Sequence, residues 1–176
     1  RYICFDGEYA YVSSYAGPVQ IDPNARLGYV AKIDIKSLQV VDTCTVGYQP
    51  DELVVSDGRI YVANSGGYRV PNYDRTVSVI DIASFRVVET IDVAINLHRM
   101  EVDKRGYVWV SSRGDYYGRG SKTFVIDTKG NEVCDSFEVA NSEMTISGDS
   151  LYIIGSEWSY VSNSWRVTYR IIDTEK

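Results

Sequence analysis

"TVSVIDI", residues Thr76 to Ile82, alternates Val77 and Val79 with smaller or polar neighbours and closes on Ile80-Asp81-Ile82. The closing triplet returns as Ile33-Asp34-Ile35 upstream, and as Ile126-Asp127-Thr128 and Ile172-Asp173-Thr174 downstream, so the aspartates 34, 81, 127 and 173 are spaced by 47, 46 and 46 residues. Two further series keep the same phase. One is "AYVSS" at 10, "IYVAN" at 60, "VWVSS" at 108 and "LYIIG" at 151; the other is Leu53-Val54-Val55, Met100-Glu101-Val102 and Met144-Thr145-Ile146. The intervening residues are β-branched or aromatic with a period of two, and no segment has helical spacing. In the second copy the unit reads as four short strands, 52–56, 59–63, 76–82 and 86–93. Four strands repeated at this period make the blade of a β-propeller, whereas a β-sandwich supplies similar strands without the fixed phase. The expected fold is therefore all-β, a partial propeller of four-stranded antiparallel blades over residues 1–47, 48–95, 96–140 and 141–176, the fourth lacking its last strand.

Charge and cysteines narrow the function classes. The 176 residues carry a formal net charge of -6, which provides no electrostatic footprint for nucleic acid and is repelled by an anionic membrane surface. Three cysteines, Cys4, Cys44 and Cys134, have no C-x-x-C spacing, so they signal neither a zinc site nor a disulfide framework. No apolar run approaches the roughly 18 residues of a membrane-spanning helix. The chain opens on strand-like "RYICF" without an initiator Met or a signal peptide, as expected of a piece of a larger protein.

Strand parity assigns the loops to faces. The chain reverses at every connection, so connections 1-2 and 3-4 share one face and connections 2-3 and 4-1 the other. The first face has tight turns, "SDGR", "DKRG" and "SGDS", then "IKSLQ", "IASFR" and "DTKGN", and is expected to take no part in recognition. The second receives four long inserts, Ser14–Leu27, Asn64–Arg75, Ser112–Gly120 and Gly155–Ser164, rich in Tyr, Trp, Arg and Gly. Rigid aromatic rings and arginines on long loops are what recognition surfaces use. Tyr68, Arg69, Tyr73, Arg113, Tyr116, Tyr117 and Trp158 are thus the candidate ligand contacts, joined by His98 and Arg99 at the channel mouth. The structural alternatives are tyrosines that pack against their own loops and arginines that form surface ion pairs.

Other constellations carry less. His98, the only histidine, aligns with Asp51 and Ser142, but no nucleophile elbow accompanies it, and a hydrogen-bonded loop histidine is the simpler reading. Arg99, Glu52 and Glu143 hold equivalent positions where one blade's cation meets the next blade's anion. Asp22-Pro23-Asn24 and Asp51-Glu52 offer too few oxygens for a calcium cage, and "GDYYGRG" from Gly114 lacks the spacing and following helix of a phosphate loop. No metal or cofactor is expected.

"RIYVANSGG", "TVSVIDIASFRVVETIDV" and the preceding "GYQPDELVVSDG" resemble the YVTN-repeat, YncE-like β-propellers, with Tyr61-Val62-Ala63-Asn64 at the place of the name-giving tetrapeptide. The inserts "GGYRVPNYD" and "RGDYYGRGS" resemble those of surface-exposed lipoprotein propellers of anaerobic gut bacteria. That resemblance implies a ring of about seven blades and a place at the cell surface on the outer membrane. Some relatives capture vitamin B12 and pass it to an outer-membrane transporter, so it also implies a non-catalytic module binding a small polar or amphipathic ligand, cobalamin or a glycan. A protein-docking scaffold is the alternative. A propeller lactonase or quinoprotein enzyme is a third class, disfavoured by a single histidine and no repeated acidic cluster.

Overall fold

The computed structural model describes residues 1–17 and 24–175, which hold fifteen strands and no helix. β1 (Ile3–Asp6), β2 (Tyr9–Ser14), β3 (Leu27–Asp34) and β4 (Gln39–Tyr48) form the first antiparallel blade. β5 (Pro50–Ser56), β6 (Arg59–Asn64), β7 (Thr76–Asp81) and β8 (Arg86–Asp92) form the second; β9 (Leu97–Val102), β10 (Val108–Ser112), β11 (Lys122–Asp127) and β12 (Glu132–Phe137) form the third. The fourth has three strands, β13 (Glu143–Ser147), β14 (Ser150–Ser159) and β15 (Ser164–Asp173). The sheets are a partial β-propeller. β1 lies beside β5, β5 beside β9 and β9 beside β13, and among the described residues no contact of that extent joins β13 back to β1.

The recurrent aspartate shapes a turn. Asp34 accepts hydrogen bonds from the Ser37 backbone N–H (2.7 Å) and hydroxyl (2.8 Å), and Asp81 does the same for Ser84 (2.7 and 2.6 Å). Asp127 accepts from Lys129 N–H and Asp173 from Glu175 N–H. In the 3-4 turns the chain then passes through positive φ at Leu38, Phe85 and Asn131. These are local side-chain-to-backbone bonds that favour a turn over a continued strand.

A second repeat element locks blade to blade. Tyr11, Tyr61, Trp109 and Tyr152 occupy one register position, opposite Cys4, Val54, Glu101 and Thr145. Tyr11 packs into a cluster with Leu53, Ile60 and Phe85, Tyr61 into one with Leu97, Met100 and Val110, and Trp109 into one with Met144, Leu151 and Ile153. Each inserts between its own blade and the next, worth on the order of 2 kcal/mol or more by burial of apolar area. The first three are 0–2% exposed, but Tyr152 is 43% exposed. At the opposite end Ile3, equivalent to buried Leu53, Met100 and Met144, is 54% exposed. The arc thus presents one bare aromatic face and one bare aliphatic face.

One expectation needs correction. Residues 155–164 are not a loop: β14 and β15 continue through them in unbroken register as far as Ser159↔Ser164, and only residues 160–163 turn. Alternating residues and the Trp158↔Trp165 cross-strand pair, with ring centroids 5.6 Å apart, favour a two-stranded ribbon there. On the tight-turn face, Phe85 of "IASFR" is buried beside Tyr11 at 5.8 Å, so this turn also contributes to the core. Residues 18–23 of the Ser14–Leu27 insert, Asp22-Pro23 of the oxygen-rich stretch among them, lie outside the described residues.

Candidate ligand site on the loop face

The floor of the site is a buried polar contact between neighbouring blades. Asp51 at the start of β5 and His98 at the start of β9 hold equivalent positions, and His98 Nδ1 lies 3.0 Å from Asp51 Oδ2. Arg113, just beyond β10, reaches back over both: its Nη1 is 3.2 Å from Asp51 Oδ2 and its Nη2 lies over the imidazole, 2.7 Å from His98 Nδ1 and 2.9 Å from Nε2. Burial is the main influence on His98 and lowers its pKa, against the opposing hydrogen bond to Asp51. A neutral ring with Nδ1–H donating to Asp51 leaves Nε2 as the acceptor toward the guanidinium and avoids a second cation beside Arg113. Tyr2 from the first blade closes over His98 edge-on at 6.1 Å.

One register step along the channel, Arg99 sits between Glu52 of the second blade, at 3.9 Å, and Glu143 of the fourth, to which it hydrogen-bonds. Its guanidinium also lies 4.9 Å from the Tyr2 ring centre. Glu52 accepts the Met100 backbone N–H at 2.8 Å, and burial raises its pKa. Arg99 is therefore engaged in joining three blades.

The walls rise from the third and fourth blades. After β10 the chain turns at Gly114, whose φ is +68° and where a Cβ would lie 1.9 Å from the Arg119 carbonyl oxygen. The Asp115 carboxylate then accepts three backbone N–H groups, from Tyr117 (3.0 Å), Gly118 (2.8 Å) and Arg119 (2.8 Å). These bonds hold its pKa down to about 2. The loop is thereby closed around an anion of its own and holds Tyr116 and the 93% exposed Tyr117 outward. Across from them stands the β14–β15 ribbon with Trp158 and Trp165. Between loop and ribbon is a cleft of about 770 Å³, floored by His98, Arg113, Asn141 and Ser142.

Five of the sequence candidates, His98, Arg113, Tyr116, Tyr117 and Trp158, line this one cleft. Four do not. Tyr68 and Arg69 belong to an insert folded onto the crossover between the first two blades: Tyr68 N–H donates to Gln49 Oε1 (2.9 Å), Arg69 stacks 3.7 Å from the Tyr48 ring centre, and Asp74 accepts the Tyr48 N–H (2.7 Å). The length of that insert is taken up in clamping the crossover. Tyr73 is near enough to Tyr116 and Tyr117 for them to raise its pKa, after partial burial, but it stays outside the cleft. Arg99 is in the channel. Asn141, Arg119 and Trp165, which also line the cleft, were not among the nine candidates. Trp165 was within reach of its cross-strand position opposite Trp158; nothing in the sequence marks Asn141. Among the described residues no group of His, Cys, Asp and Glu could hold a metal ion.

Neither a family model nor a curated protein matches the chain in sequence. Solved structures do match in shape. Hydrazine synthase of Kuenenia stuttgartiensis superposes with a TM-score of 0.64 at 19% identity, covering 96% of this chain and 47% of that one. The β-propeller domain of the Trilobed protease from Pyrococcus furiosus gives 0.63 at 12%, covering 98% and 56%. The WD40 β-propeller domain of Doa1 gives 0.57 at 10%, covering 96% and 62%. Likeness at such identity shows the propeller fold, and the chain spans about half the length of these structures.

Proposed function

We propose that this propeller binds a small polar or amphipathic ligand in the cleft between its third and fourth blades. The observation that carries the reading is convergence: a buried Asp51–His98–Arg113 floor, a loop braced around Asp115 and an aromatic ribbon come from three separate elements to bound one cleft. Aromatic walls with a few fixed polar groups are the usual make-up of such sites. Both ring nitrogens of His98 face partners, which supports binding over catalysis. The resemblance to YVTN-repeat propellers makes cobalamin one ligand to try, cell-surface exposure the setting and an outer-membrane transporter the partner to seek; glycans are the other ligand class. The ribbon tip, where Tyr160 and Val161 are almost fully exposed, favours a second reading in which the same face docks a protein. Calorimetric titration of cyanocobalamin and a glycan panel into wild type, Tyr117→Ala and Trp158→Ala tests the first. Each variant is expected to lose on the order of 1 to 3 kcal/mol of binding with an unchanged thermal melt. Binding that ignores both variants contradicts the site.

A further inference from the structure

The charged groups on the cleft wall are unequally occupied. Glu138 is paired with Lys122 at 2.5 Å, Glu157 faces Arg170 at 3.7 Å, and Arg113 is held by Asp51 and His98. The fourth, Arg119, has its backbone fixed by the Asp115 carboxylate, which also interacts with its guanidinium electrostatically, and among the described residues that guanidinium makes no direct hydrogen bond or ion pair. Asn141 on the floor is 5% exposed; its Nδ2 donates to Thr123 Oγ1 at 3.0 Å and its Oδ1 is itself buried, so it shapes the floor without offering an open acceptor. Beside Arg119 stand Tyr117 and the Trp158–Trp165 pair, faces on which a flat ring can stack.

We infer that the ligand is a carboxylated sugar, a glycan with a hexuronate unit, its carboxylate on Arg119 and its ring C–H face against the tryptophan pair. A planar guanidinium fork matches a carboxylate in a way it does not match a hydroxymethyl group or a neutral amide. The net charge of -6 opposes a polyanion at long range, so selectivity falls to one short-range pair and not to a basic surface.

This rests on the proposed binding cleft, and the test separates the two. The probe is trigalacturonate, set against its fully methyl-esterified form, which keeps the rings and removes the charge. Titrated at low salt, the acid is expected to bind about tenfold more tightly than the ester. Arg119→Met should erase that difference, Arg119→Lys should retain part of it, and Trp158→Ala should weaken both forms alike, all with wild-type thermal melts. Equal binding of acid and ester, or a preference that survives Arg119→Met, overturns the inference. If acid and ester bind equally and Trp158→Ala weakens both, the cleft stands and the carboxylate assignment falls. If neither sugar binds while cyanocobalamin binds and responds to Trp158→Ala, the sugar assignment falls and the cleft again stands. If no probe responds to Trp158→Ala, both fail.

Discussion

At the scale of single residues, His98 joins stability to the site. Burial holds its folded pKa below the ordinary 6.5, so as the pH falls the unfolded chain takes the proton first. The stability carried by the neutral ring is complete above 6.5 and is lost as the pH falls through the lower folded value. Glu52 and Glu101 titrate in the opposite sense, because burial raises them and their contribution is lost as the pH rises. Comparing wild type with His98→Asn by urea unfolding across this range cancels the shared carboxylates. The wild type should lose stability relative to the variant on acidification, and parallel curves would count against a buried neutral His98. Asp115 acts locally. Asp115→Ala should speed amide hydrogen exchange at Tyr117, Gly118 and Arg119 and weaken binding while leaving the melt near wild type; unchanged exchange would mean the loop is braced by something else. The equivalence of Asp51 and His98 was legible because the repeat aligns them. That Arg113 folds back over both was not, since it depends on the turn at Gly114.

At the scale of elements, strand existence followed from the phase of the repeat, and observed ends depart from expectation by a residue or two, as at Pro50 for 52. The misreading of 155–164 has a physical cause. The repeat places a 2-3 insert there, but Gly155 is glycine because the Ala140 carbonyl oxygen approaches to 2.0 Å from where a Cβ would stand, and the strand runs straight through. Phe85 likewise looked like turn residue and is core. Phe85→Ala should cost about 3 to 5 kcal/mol in chemical denaturation. Lys36→Ala and Ser37→Ala, on the exposed turn of the same face, should leave ligand affinity within about threefold. A small loss for Phe85→Ala would show that the Tyr11 cluster does not depend on the turn.

At the scale of the whole molecule, the aromatic at one register position per blade explains both cohesion and the two bare ends. The blades and their order could be read from the spacing of four aspartates; the pairing of faces could not, because only packing shows that Tyr11, Tyr61 and Trp109 insert into the next blade while Tyr152 stays 43% exposed. The 176-residue chain studied alone should therefore self-associate as its concentration rises, and Tyr152→Lys with Ile171→Lys should reduce that association in sedimentation velocity runs. A strictly monomeric wild type would contradict the account of these faces. The claim on which function rests is that recognition occupies one cleft on the long-loop face. Hydrogen-exchange footprinting with the tightest ligand from the titrations addresses it most directly. Protection confined to residues 98, 112–121, 138–142, 156–158 and 165, with the 1-2 and 3-4 turns unchanged, is the predicted result; protection centred on those turns, or on the clamped insert at 64–75, would contradict it.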